Sequence, residues 1–116
     1  MIDLGNTRVL LVVFAMPGCG ACDEYIPKFL RKVKAHGAPF RVMDADAQAA
    51  PGEIPVMLYD AASENKELQE FADSLGITAT PTTCLMTRRA GTVKIEGAVP
   101  PAEVDQLLQD ALSANH

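Results

Sequence analysis

Residues 9–22 have the sequence VLLVVFAMPGCGAC, in which an apolar run leads into two cysteines three positions apart. The run is continuous, short and rich in β-branched residues, which is typical of a strand buried in the middle of a parallel sheet. Met16-Pro17-Gly18 interrupts the run, and beyond Cys22 apolar residues recur at the spacing of one helix face. The sequence therefore predicts a strand-to-helix junction, with Cys19 and Cys22 at the start of the helix.

The composition excludes several classes of protein. The chain has 116 residues, of which 48% are hydrophobic, and this suffices for a single domain over residues 1–116 with its own core. The net charge of -5 argues against nucleic acid or an anionic membrane as a partner. The sequence has no stretch of about 20 apolar residues, which is the length that a membrane-spanning helix requires. No basic segment precedes Val9–Met16, although a secretory signal would require one. We therefore expect Met1 to be the native start and the location to be cytoplasmic.

Three chemistries could explain the close cysteine pair: a metal site, a structural disulfide and a redox couple. Three cysteines, an odd number, are not typical of a secreted disulfide scaffold. A zinc site needs four ligands, and only Cys84 and either His36 or His116 are available to complete one, so we expect no metal. A structural disulfide is disfavoured by a reducing compartment and by so short a loop. Cys84 itself lies in an apolar strand and is expected to pack as a small hydrophobic residue.

The position of the cysteine pair favours redox chemistry. The first turn of a helix has unpaired N–H groups and the positive end of the helix dipole, and both stabilise a thiolate. Cys19 is expected at or just before that turn, whereas Cys22 returns to the same side of the helix and lies deeper. We therefore predict that Cys19 attacks a target disulfide and that Cys22 resolves the intermediate. Asp23 and Glu24 oppose a nearby thiolate, so they cancel part of the effect of the dipole.

The remaining patterns predict an α/β fold. Strands that are joined by crossover helices run parallel, and the last two strands form an antiparallel hairpin, so the sheet is mixed. Helices are expected on both faces of this central sheet. In chain order, the predicted elements are a strand over 9–14, a helix that ends at His36-Gly37, strands over 40–44 and 54–60 with a loop over 45–53 between them, a helix over 63–75 with Ser63 as its cap and Gly76 as its stop, a hairpin of strands over 82–86 and 92–96, and a last helix opened by Pro100-Pro101.

Three features of the chain together resemble the thioredoxin superfamily. They are the apolar strand that leads into Cys-Gly-Ala-Cys, Pro27 at eight residues after Cys19, and the sequence GITATPT at residues 76–82. The resemblance extends from about Arg8 to the C-terminus. It implies the thioredoxin-like fold and a protein-disulfide oxidoreductase that needs no bound cofactor. Its partners would be protein disulfides and an electron donor, either a thioredoxin-reductase-like enzyme or a small thiol.

The resemblance also implies a substrate groove beside the cysteines. Family members have a cis proline at the start of the strand after their second core helix, and Pro81 matches it. This proline offers no N–H and turns the preceding backbone outward, so Thr80 would pair with an extended substrate as if adding a strand. Gly97 matches the glycine that flanks the groove, and Gly18 stands where the family has a tryptophan. The alternative function is a redox-inactive module that binds a peptide or protein in this groove.

The chain departs from the family pattern in four further places. Met1–Thr7 is too short for the strand and helix that open family thioredoxins. We expect a monomer, but a sheet edge exposed in this way favours self-association. Ala21 replaces the proline between the cysteines, and Val12-Val13-Phe14 provides no carboxylate that could move protons to the resolving thiol. Two segments compete for the middle strand of the sheet, and we expect 40–44 in the middle, with 54–60 as an added edge or a packed loop.

Overall fold

The computed structural model describes residues 8–43, 50 and 52–115, and within them the chain forms five strands and three helices. Asp44, most of the predicted loop over 45–53, Met1–Thr7 and His116 lie outside the described residues. None of the helices in the described part of the chain has the length and apolar character that crossing a membrane requires. In chain order, the elements are β1 (Val9–Ala15), α1 (Gly20–His36), β2 (Phe40–Met43), β3 (Ile54–Asp60), α2 (Lys66–Ser74), β4 (Thr82–Thr87), β5 (Gly91–Glu96) and α3 (Pro101–Ala114).

The strand that leads into the cysteines occupies the centre of the sheet. The strand order is β2-β3-β1-β4-β5. β1 runs parallel to β3 and antiparallel to β4, whereas β2 is parallel to β3 and β5 is antiparallel to β4. Residues 9–14 of β1 are all buried, because this strand has a neighbour on each side and a helical layer on each face. The prediction of a mixed α/β sheet is confirmed.

Alternate side chains of β1 enter two separate apolar cores. Leu11 and Val13 belong to the core on the face that α1 and α3 cover. Val12 and Phe14 point to the opposite face, where they share a core with Phe71 of α2. Since successive side chains of a strand point to opposite faces, an unbroken apolar run is what such a doubly covered strand requires.

The two segments that compete for the position beside β1, residues 40–44 and 54–60, lie in the reverse of the predicted order. β3 lies between β1 and β2, and β2 forms the edge, so the expectation that residues 40–44 form the middle strand is wrong. Burial explains the exchange, because the first four residues of β3 are buried, whereas Arg41 and Val42 of β2 are exposed. Pro55 lacks an amide donor, but it precedes Val56, the first β3 residue in register with β1, and therefore does not interrupt that ladder.

The two helices that follow β1 and β3 differ in how well their ends match the expectation. α1 ends at His36 as predicted, and Gly37 follows it with a φ of 70°. α2 begins at Lys66, three residues after the predicted cap, Ser63. The cap is Asn65, because its side-chain oxygen accepts hydrogen bonds from the first-turn amides of α2 at 2.9 and 3.2 Å.

Candidate active site

Cys19 caps the N-terminus of α1. The chain leaves β1, turns through Met16–Gly18 with a φ of 77° at Gly18, and closes the turn with a 3.2 Å hydrogen bond from the Cys19 amide to the Met16 carbonyl. The Cys19 sulfur accepts the Cys22 amide at 3.1 Å. One of the unpaired amides of the first helical turn is thereby directed at this sulfur. Cys19 therefore has the position that the sequence predicts.

Cys19 and Cys22 form a disulfide with a Cα–Cα distance of 5.2 Å. The two residues differ in exposure, because Cys22 is only 1% exposed whereas Cys19 is half-buried. An incoming group can therefore reach the Cys19 sulfur more easily than the Cys22 sulfur. The predicted difference in depth between the two cysteines is present in the structure.

The backbone and side chain of Thr80 lie next to the Cys19 sulfur, although 61 residues separate them in the chain. The Thr80 carbonyl oxygen is 3.7 Å from Cys19 Sγ, and the Thr80 hydroxyl donates a hydrogen bond to the same sulfur at 3.6 Å. The Thr80–Pro81 peptide bond is cis. Among the described residues, the Thr80 amide donates to no backbone carbonyl. A polar backbone segment thus borders the half-buried Cys19, and its Thr80 amide remains available as a donor for another chain.

Gly97 is tied to this segment by a 2.8 Å hydrogen bond from its amide to the Pro81 carbonyl. Its φ is 84°, a conformation that other residues rarely adopt, and a β-carbon placed there would have no atom within 4 Å. Gly18 likewise combines positive φ with open space. The structure thus brings Cys19, Thr80, Pro81 and Gly97 together, with Gly18 directly before Cys19, and the space beside both glycines is open.

A buried pair of hydroxyl groups lies in the core between α1 and the sheet. Tyr25 Oη and Thr83 Oγ1 are 2.8 Å apart, and both residues are less than 5% exposed. Burial raises the pKa of the Tyr25 phenol, and the hydrogen bond with Thr83 opposes this rise only in part. Val13, from the strand without a carboxylate, belongs to the same core. A tyrosine on the buried face of a helix signals that its hydroxyl needs a partner, but no local sequence pattern predicted that Thr83 is this partner.

Cys84 is separated from the disulfide by the sheet. Its side chain is fully buried in the core on the α2 face. Burial raises the pKa of its thiol to about 11, and the charge of nearby Lys94 opposes that rise. Within residues 8–43, 50 and 52–115, no three His, Cys, Asp or Glu side chains converge as metal ligands.

The sequence model of the thioredoxin-like domain matches residues 4–112. The chain belongs to the thioredoxin-like domain family. No curated protein sequence matches this thioredoxin-like chain. Family membership and the Cys19–Cys22 pair together support a thiol–disulfide oxidoreductase in general.

Solved structures similar to this thioredoxin-like chain include thioredoxins from several sources. Mitochondrial thioredoxin 3 of Saccharomyces cerevisiae, in its oxidised form, shares 20% identity over 89% of this chain and 78% of that chain, with a TM-score of 0.59. Chloroplastic thioredoxin z shares 18% identity over 91% and 80%, with a TM-score of 0.61. Deadhead, a germline-specific thioredoxin of Drosophila melanogaster, shares 11% over 91% and 84%, with a TM-score of 0.63. At these identities the likeness shows the fold.

Proposed function

We propose that this protein reduces disulfide bonds in other proteins by cycling Cys19 and Cys22 between dithiol and disulfide. The observation that carries the proposal is the position of the Cys19 sulfur: half-buried, at the N-terminus of α1, and beside Thr80. The amide of Cys22 donates to this sulfur, and a donor of that kind stabilises the sulfur more when it is negatively charged.

The first step forms a mixed disulfide. The Cys19 thiolate attacks one sulfur of the target disulfide, a new S–S bond forms, and the bond within the target breaks. The other target sulfur leaves as a thiolate and takes up a proton from solvent. Cys19 is the attacking residue because it is the more exposed of the pair.

The second step releases the target. Cys22 loses its proton and attacks the sulfur of Cys19, so the Cys19–Cys22 disulfide forms and the mixed disulfide breaks. The second target sulfur leaves as a thiolate, and two electrons have passed from the dithiol to the target. With a Cα–Cα distance of 5.2 Å, the two cysteines can close this bond without a movement of the backbone.

Substrate positioning falls to the backbone around Thr80. An extended segment of the target could pair with the Thr80 amide and lie along Pro81, with Gly97 and Gly18 leaving room on either side. A thioredoxin-reductase-like enzyme or a small thiol would return electrons to the Cys19–Cys22 disulfide.

Reduction of insulin by dithiothreitol, followed by turbidity, tests this function. We expect the wild type to accelerate the reaction, Cys19→Ser to leave it at the rate of dithiothreitol alone, and the matched control Cys84→Ala to behave as wild type. Equilibration with glutathione buffers in the same preparation reports the direction of the reaction, and a reductant would have a potential below that of the glutathione pool. If the wild type and Cys19→Ser both leave the rate at that of dithiothreitol alone, the protein is not a disulfide reductase. Retained binding of the target would then favour the redox-inactive binding module.

A further inference from the structure

A groove opens beside the disulfide, between α1 and the segment that leads into α3. Its volume is about 560 Å³, within the range of sites that hold drug-sized ligands. At one end it is lined by Ala21, which lies between the two cysteines, and by Ala98, which follows Gly97. The groove therefore continues the surface on which a substrate of the proposed reaction would lie.

The wall of the groove is apolar. Tyr25 contributes its ring, since its hydroxyl is held by Thr83 in the core. Val99 and Val104 contribute side chains at the edge of the core that α1 and α3 share. Pro100 stands at the mouth of the groove and is exposed. An apolar side chain seated here would leave water without burying an unpaired polar group.

The rim of the groove along α1 begins with Glu24 near the disulfide and continues with three cations, Lys28, Arg31 and Lys32. Lys28 is paired with Glu24 at 3.4 Å, and Lys32 is paired with Asp105 at 2.9 Å, all with exposed or half-exposed side chains. Arg31 also lines the groove and makes no salt bridge within the described residues. In a chain with a net charge of -5, this rim thus has one cation without a neutralising partner.

We propose that this groove selects the substrates of the disulfide reductase proposed above: protein segments with an apolar side chain close to the reactive cysteine and acidic residues farther along. The apolar end of the groove adjoins the disulfide at Ala21, and the cations follow along the helix. At 1.5 Å per helical residue, Lys28 and Arg31 lie about 10 and 15 Å beyond Ala21, which corresponds to about three to five residues of an extended peptide. The acidic residues therefore belong about three to five positions from the attacked cysteine.

Symmetric peptides test this proposal without assuming a chain direction. Each has a central cysteine blocked as a mixed disulfide with thionitrobenzoate, and leucine two positions away on both sides. The outer three positions on both sides are acidic in one peptide and lysine in its partner, and a third peptide has serine in place of leucine. Release of thionitrobenzoate by an excess of the pre-reduced protein gives the second-order rate constant for each peptide, and neutral 2-hydroxyethyl disulfide reports the chemistry without the groove.

The charge of Arg31 is reversed by Arg31→Glu, and Arg89→Glu is its matched control. Arg89 is an exposed residue of the turn between β4 and β5, at the end of the sheet away from the cysteines, since neighbouring Thr87 pairs with Val9 at the start of β1. Both variants are expected to react with 2-hydroxyethyl disulfide as the wild type does.

We expect the wild type at low salt to prefer the acidic peptide to the lysine peptide by about fivefold to tenfold, with the preference shrinking as salt is added. Arg31→Glu should lose most of this preference and Arg89→Glu should keep it, and the serine peptide should react more slowly than the leucine peptide. Equal rates for the acidic and lysine peptides, or an equal loss in both variants, would overturn the groove while leaving the reductase intact. Failure to react with 2-hydroxyethyl disulfide as well would overturn the proposed function, and the groove proposal with it.

Discussion

Two regions of this protein hold cysteines, and they place the same side chain in opposite surroundings. At the N-terminus of α1, the Cys19 sulfur is half-buried and receives a hydrogen bond from a backbone amide and contacts from Thr80. In the middle of β4, Cys84 is fully buried among apolar side chains, and its pKa is raised to about 11. The comparison teaches that the reactivity of a thiol is set by where the fold puts it, through exposure and through groups that stabilise the anion.

The largest expected effect comes from removing the buried member of the pair. In Cys22→Ser, Cys19 can still attack a target, but the serine hydroxyl cannot displace it, so the reaction should stop at the mixed disulfide. We expect the release of reduced target by the pre-reduced protein, measured without added thiols, to be about a thousandfold slower than in the wild type, as for other groups that act as a unit in catalysis. Mass spectrometry of the reaction with a disulfide protein should show a stoichiometric adduct on Cys19.

Two controls complete this experiment. Cys84→Ala should release reduced target as the wild type does, because the side chain at position 84 lies on the opposite face of the sheet. Cys19→Ser with Cys22 intact should form little adduct. Release of reduced target by Cys22→Ser at the wild-type rate would show that Cys22 does not resolve the mixed disulfide.

A smaller but still large effect is expected for alkylation of the reduced protein. At neutral pH, iodoacetamide should modify Cys19 at least about a hundredfold faster than Cys84, because Cys84 is both protonated and buried. Peptide mapping by mass spectrometry over time gives the two rates. In urea the difference should nearly vanish, and a Cys84 that reacts as fast as Cys19 in the folded protein would remove the contrast between the two regions.

The smallest expected effect is an alkaline loss of stability that includes Cys84. Its thiol has a pKa of about 11 in the folded chain against an ordinary value of 9.0, so above pH 9.0 the unfolded chain releases a proton that the folded chain retains. The contribution is complete below pH 9.0 and is lost as the pH rises toward about 11. The urea midpoint should therefore fall between pH 8 and about pH 10, and it should fall less in Cys84→Ala. An equal fall in both proteins would mean that Cys84 is not buried in a way that disfavours its thiolate.

Local patterns predicted those parts of the fold that local physics decides. The apolar run at 9–14 indicated a doubly covered strand, and the glycine after His36 indicated the end of α1. The choice of 40–44 over 54–60 as the inner strand was wrong, because the position of a strand in a sheet depends on which other segments pair with it and cover it. The cap of α2 was also misplaced, since Ser63 and Asn65 are both good capping residues and only the geometry of the turn selects one.

The candidate site was likewise predictable from the sequence only in part. The junction between strand and helix was predicted from the apolar run before Cys19 and the helical spacing after Cys22, whereas Thr80 and Gly97 entered through the resemblance to a family. The Tyr25–Thr83 hydrogen bond joins residues 58 positions apart, so no local pattern contains it. The cationic rim was equally hidden, because Lys28, Arg31 and Lys32 are ordinary surface residues of a helix until the segment before α3 closes a groove beside them.

Neighbouring residues alone specify a buried strand followed by a helix that begins with two cysteines, because hydrophobic periodicity and helix termini are local properties of the chain. Local position also indicated that Cys22 lies deeper than Cys19, but the backbone beside Cys19 and the groove next to it are set by tertiary packing. The physical reason is that burial, long-range hydrogen bonds and grooves arise between segments that are distant in the chain, and their partners are chosen when the sheet and its two helical layers pack together.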